Sequence, residues 1–126
     1  MPIHSEWFGE DHRLILWRFE SPWSWAEFAR HYQLLKEEAE TFDHDFDQIF
    51  DVSQLELLPP DVVLRVRSEF FQRIPHTRFF LVVGADGYIQ LLWNTLTSFP
   101  FAAHMQALFF QKLEDAIAFS RNYREP

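Results

Sequence analysis

Apolar residues along this chain change their spacing several times, and each change marks a predicted element. IHSEWF alternates loosely and RLILWRFE is apolar on both faces, with the polar turn GEDH between them. The pair predicts a hairpin, with an outer strand at 3–8 and an inner strand at 13–20. In SPWSWAEFARHYQLLKEEAET the spacing turns helical. Trp25, Phe28, Ala29, Tyr32, Leu35 and Ala39 make one stripe, and Ser24 with Glu27 forms an S-x-x-E capping box. FDHDFD reads as a polar connection, and QIFDVS as a short strand on Ile49, Phe50 and Val52.

LPPD then opens a second helix, since a proline fits the first turn, where its missing N–H leaves no bond unmade. Val63, Val66, Phe70 and Ile74 are its stripe, and Pro75 ends it. TRFFLVVG has the continuous β-rich character of a central strand covered on both faces. Asp86 is placed to cap YIQLLWNTLTS, whose stripe is Tyr88, Leu91, Leu92 and Leu96, closed by Phe99-Pro100. AAHMQALFF reads as the last strand, and KLEDAIAFSRNY as the last helix, on Leu113, Ala116, Ile117 and Phe119.

Strands alternating with helices predict an α/β fold with right-handed crossovers. The expectation is a single domain over the 126 residues, built of repeated βα units. Its sheet is mostly parallel, of four or five strands, with an N-terminal antiparallel hairpin and about four helices. No internal repeat, low-complexity tract or long linker interrupts the chain.

Composition narrows the function. Without Cys, disulfide, thiolate and Cys-metal chemistry are excluded, and a cytoplasmic location is the expectation. The opening MPIHSEWFGEDH has neither the basic nor the apolar region of a signal peptide. The longest apolar runs, such as FFLVVGA, have the length of buried strands, well short of the roughly 20 residues of a membrane helix, so no membrane span is expected. A net charge of −8 argues against nucleic acid as a partner. Arg65, Arg67 and Arg73 are interleaved with Asp61 and Glu69 and read as a solvated helix face. Fifteen Phe and five Trp are more than one small core needs, so some rings are expected at a contact surface.

Catalytic and metal chemistry find little support. Asp43, His44, Asp45 and Asp47 are dense in donors, but Gln48 stands where a calcium loop needs Gly, and Gln54 where it needs a bidentate Glu. His4, His12, His31, His76 and His104 are scattered, without the spacing of a zinc site. There is no G-x-S-x-G elbow, and VVGADG lacks both the third glycine of a dinucleotide fingerprint and the lysine of a P-loop. Glu37, Glu38 and Glu40 belong to the polar side of a helix end. No enzyme activity, metal or cofactor is expected. Architecture alone places a binding surface beyond the C-terminal ends of the strands: Asp51, Ser53, Gln54, Glu56, Asp61, Gly84, Asp86 and Gly87.

The order of elements, the DVS closing the middle strand, the strand–GADG–helix unit and the ending FFQKLEDAIAF together resemble the STAS, or SpoIIAA-like, family. The ending is the nearest local match, through Leu113, Glu114, Asp115 and Ala116. The resemblance implies a small α/β domain of the anti-sigma-factor-antagonist type that acts by binding other proteins. Its switching members carry a phosphorylated Ser at the helix start after this strand. In this chain that position falls near Pro59-Pro60, which has no hydroxyl, while Ser53 stands several residues earlier. Ser53 therefore reads as a loop hydrogen-bonder with no helix N-terminus beside it to favour a phosphate.

Two roles remain. The first is a non-enzymatic regulatory or scaffolding module, without a phosphorylation switch, that binds a protein partner or itself as a homodimer. Trp7, Phe8 and Trp23 are its candidate oligomer contacts. The second is a carrier of an apolar small molecule or lipid, with Trp93, Phe99, Phe101, Met105, Phe109 and Phe110 lining a cavity.

Overall fold

Side chains two apart on a strand share a face, and in this protein that rule sorts nearly every core residue to one of two layers. The computed structural model of the chain describes residues 3–20, 24–54 and 73–122, without the side chains of Trp25 and Phe101. The strands are β1 (Ile3–Trp7), β2 (Leu14–Phe19), β3 (Phe46–Asp51), β4 (Thr77–Val83) and β5 (Ala107–Phe110). They form one mixed sheet in the order β1-β2-β3-β4-β5, with β1 antiparallel to β2 and every other pair parallel. The helices are α1 (Trp25–Ala39), α2 (Gly87–Thr97) and α3 (Leu113–Asn122), with a 3-10 helix over Pro100–Met105.

Ile15, Trp17, Phe19, Phe46, Phe50, Phe80 and Val82 point to one face, where they meet Phe28, Tyr32, Leu35 and Ala39 of α1. Ile89 and Trp93 of α2 and Met105 of the 3-10 helix complete that layer. Leu14, Leu16, Ile49, Leu81 and Val83 point to the other face, covered by Leu113, Ala116, Ile117 and Phe119 of α3. Strand order following chain order keeps α1 and α2 on one side of the sheet, as right-handed crossovers that all step the same way must. Trp17, Phe46, Phe50 and Leu81 are almost wholly buried, each contributing about 1.5–3 kcal/mol by its removal from water.

Trp17 and Gln48, buried in the first layer, are paired. The Trp17 indole N–H donates to Gln48 Oε1 at 3.1 Å, and the Gln48 amide donates to the Thr77 hydroxyl at 3.1 Å. Ser24 caps α1 by accepting the Glu27 N–H at 3.1 Å. The Glu27 carboxylate accepts the Ile3 N–H at 3.2 Å, tying the helix start to the edge strand.

The predicted α/β class, hairpin, first helix, central strand and final helix are all present, and three features differ. β3 begins at Phe46, so FDHDFD is only partly a connection; Phe46 and Asp47 are fully buried in the sheet. The last strand is only Ala107–Phe110, because Pro100 starts a 3-10 turn that runs to Met105. Ala and His have weak strand preference there, and Trp93 pins the turn by donating its indole N–H to the Met105 carbonyl at 2.8 Å. Tyr88 and Leu91, read as part of the inward stripe of α2, are 68% and 67% exposed, and Ile89 and Trp93 face the core in their place. The helix predicted between Pro59 and Ile74 lies outside the described residues except at its end, so three α-helices, rather than about four, are described.

Candidate functional site

The C-terminal ends of β3 and β4 do meet. Val52 N–H bonds the Val83 carbonyl at 2.9 Å, carrying the pairing one step past the end of β3. The chain then turns at Ser53, whose N–H and hydroxyl both donate to Asp51 Oδ1, at 3.0 and 2.6 Å. Gly84 turns beside it with a φ of +77°, its N–H held by the Phe110 carbonyl at 2.9 Å. Ser53 is thus the loop hydrogen-bonder expected of it, and its hydroxyl is occupied by a carboxylate.

Beyond Gly84, Asp86 caps α2 by accepting the Ile89 N–H at 2.9 Å, and Gly87 is the first helical residue. The N-terminus of α2 therefore starts only three residues from the Gly84–Ser53 contact, closer to Ser53 than the sequence indicated. Asp51, Ser53, Gly84, Asp86 and Gly87 are gathered at one end of the sheet, and Gln54 is exposed next to them. Glu56, Asp61 and the Pro59-Pro60 position lie outside the described residues. The described strands β2 to β5 follow chain order without reversal, so among them there is no switch point of the kind at which an α/β sheet opens a ligand crevice.

Two of the proposed oligomer contacts, Trp7 and Phe8, are engaged within the chain. Trp7 is half-buried, stacks on His12 at 4.7 Å between ring centroids, meets Phe42 and Phe46 edge-on, and donates its indole N–H to Glu38 at 3.2 Å. Phe8, also half-buried, packs toward the α3 layer and walls an open cleft of about 380 Å³ with Gly9, Glu10, Asp11, Leu14 and Arg121. Trp23 lies outside the described residues. The aromatic set read as a cavity is divided: Trp93, Met105 and Phe109 belong to the first layer, Phe110 packs on the other face, and Phe99 is 48% exposed. The Phe101 side chain lies outside the described residues.

Two polar arrangements were not legible in the sequence. The first surrounds Asp47, whose side chain is fully buried. Its Oδ1 accepts from Arg78 Nε at 3.0 Å and from the Phe79 N–H at 3.2 Å. Its Oδ2 accepts from Arg78 Nη2 at 2.7 Å and from the Ser120 hydroxyl at 2.5 Å. These bonds to Asp47 hold the Arg78 guanidinium above its ordinary pKa, against a partial burial that acts the other way. Four bonds fill the acceptor capacity of a carboxylate, which makes Asp47 a clamp joining β3, β4 and α3.

The second is a set of histidines that sequence spacing left scattered. His12, His44 and His76 stand just before β2, β3 and β4, and so collect at the N-terminal ends of adjacent parallel strands. They lie 3.7 Å from Glu38, 3.4 Å from Asp43 and 3.9 Å from Asp45 respectively. His44 Nε2 also lies 3.0 Å from the His12 carbonyl. Among the described residues, no three His, Asp or Glu side chains stand close enough to share a metal ion.

What the surface offers instead is apolar. Five large apolar side chains are exposed among the described residues, and four of them, Tyr88, Leu91, Phe99 and Leu108, fall between Gly87 and Gln111. No Asp, Glu, Lys or Arg occurs anywhere in that stretch of a chain carrying a net −8. It comprises α2, the 3-10 helix and the edge strand β5, with α2 packed on one face of the sheet and Leu108 turned toward the other. The charge-free run is the part of this that the sequence shows.

No family model, curated protein or solved structure matches this chain.

Proposed function

We propose that this protein is a non-enzymatic interaction module of the STAS-like kind, acting by binding another protein chain and not through a phosphorylated serine. The observation that carries the reading is the charge-free stretch of α2, the 3-10 helix and β5, which leaves Tyr88, Leu91, Phe99 and Leu108 exposed. Apolar surface left open in so acidic a chain is costly to solubility and has a use where a partner covers it. The parallel βα units and the final Leu113–Ala116 segment at the start of α3 support the family resemblance. The Asp51 carboxylate on the Ser53 hydroxyl supports a role without a switch, because a phosphate there would face an existing negative charge. Division of the Trp93-to-Phe110 set between two faces favours this reading over a carrier.

Native mass spectrometry of gently purified protein tests the proposal. The expected spectrum holds protein-only assemblies, which Leu91→Lys or Leu108→Lys dissociates. A monomer carrying a removable small molecule, unaffected by either change, contradicts it.

A further inference from the structure

The two edges of the sheet are finished differently. β1 turns His4, Ser5 and Glu6 to solvent, and an exposed charge on an edge strand discourages another strand from adding to it. β5 reads Ala-Leu-Phe-Phe between Gln106 and Gln111 and has no charged residue on it. Its inner side pairs with β4, and no described strand pairs with its outer side. Leu108, on the face opposite Phe109, is 42% exposed.

Resting on the interaction reading above, we infer that β5 pairs antiparallel with β5 of a second copy of this chain, extending the sheet across a two-fold axis. Identical strands are self-complementary under such an axis. With the axis normal to the sheet and centred on Leu108, that residue meets its own copy, and Ala107 lies opposite Phe109 of the second molecule. Residues two apart share a face, so both pairings leave the layers in register and bring apolar side chains together.

Charge selects the occupant. Two chains of −8 repel wherever their acidic surfaces approach, and β5 with its flanking Gln106 and Gln111 brings no charged side chain of its own to a contact between copies. The remaining repulsion acts at distances that salt screens, about 8 Å at physiological ionic strength. Association between copies therefore strengthens as salt rises. A basic partner drawn to the acidic chain would show the opposite dependence.

Sedimentation velocity of the full chain over a range of concentration and salt tests this, with Leu108→Lys and Leu34→Lys as variants. Leu34 is an equally suitable surface substitution, 61% exposed on α1 and away from β5. The expected result is a dimer that tightens with salt, weakens by about tenfold or more in Leu108→Lys, and is unchanged in Leu34→Lys. Amide hydrogen exchange of the unaltered protein gives a reading independent of any variant: exchange over residues 107–110 slows as concentration rises. A chain that stays monomeric, or a dimer insensitive to Leu108→Lys with no concentration-dependent protection of β5, overturns the inference. The interaction reading survives either result if a different protein is found on α2, which the native masses decide separately.

Discussion

Gly84 rests directly on Ser53: a Cβ added to Gly84 would stand 2.6 Å from Ser53 Cβ and 2.9 Å from Ser53 Cα. The second of these atoms is backbone, so no rotamer change relieves the contact. The φ of +77° at Gly84 adds a cost of its own for any other residue, about 1–2 kcal/mol. Gly84→Ala is expected to lose about 2 kcal/mol or more in urea unfolding, and Ser53→Gly to recover only part of it. Full recovery in the double variant would place the whole strain in the Ser53 Cβ contact and contradict the backbone share of it.

Gly87 provides the opposite case. It opens α2, and an added Cβ meets nothing within 4 Å. Gly87→Ala should raise stability by about 0.5–1 kcal/mol, because alanine gives up less backbone freedom on entering a helix. A loss measured in the same urea experiment would contradict the open geometry.

At Asp47 the order of effects is the test. Asp47→Ala removes the carboxylate that takes two bonds from the partly buried Arg78 guanidinium and one from the Ser120 hydroxyl, with an expected loss of about 3 kcal/mol or more. Ser120→Ala removes one bond to a charged group and should cost about 2 kcal/mol. Chemical denaturation of both variants checks this, and equal losses would mean that the clamp does not act as a unit.

Alkaline stability turns on Tyr32. Its hydroxyl is buried and has no hydrogen-bond partner among the described residues, and burial pushes its pKa well above the ordinary 10.0. Above pH 10 the unfolded chain gives up this proton while the folded chain keeps it, so stability falls as pH rises from there. Below pH 10 the contribution is complete. Tyr32→Phe should flatten that decline and, at neutral pH, leave stability unchanged or higher by about 1 kcal/mol. Thermal unfolding from pH 7 to 11 measures both, and an undiminished alkaline decline in the variant would assign it to another group.

How much of this was legible depended on whether a local pattern carried the information. α1 could be read because Ser24 supplies a cap and Phe28, Tyr32, Leu35 and Ala39 supply one stripe on an otherwise polar helix. α2 defeated the same rule. Tyr88, Ile89, Leu91, Leu92, Trp93 and Leu96 put apolar residues on nearly every side, so spacing could not say which side faces the core. The start of β3 was hidden because Asp47 looks like a loop residue until Arg78, 31 positions away, is folded against it. The end of the sheet near Asp51, Ser53, Gly84 and Asp86 followed from topology, whereas the contact between Ser53 and Gly84 depends on two loops meeting. The run without charges from Gly87 to Gln111 was visible in the sequence, but the exposure of its apolar residues could be recognised only after α2 had been placed with Tyr88 and Leu91 outward.

The central claim, that α2 and β5 present a surface for another protein chain, is tested most directly by a photo-activated cross-linking residue placed at Leu91 and, separately, at Leu34. Both side chains are more than half exposed, and only the first lies in the charge-free stretch from Gly87 to Gln111. Illumination in the cells that make the protein should yield a discrete protein adduct from Leu91 and none from Leu34, and the identified adduct partner should bind the purified chain at fixed stoichiometry. The same adducts from both positions, or no protein adduct from Leu91, would contradict the account.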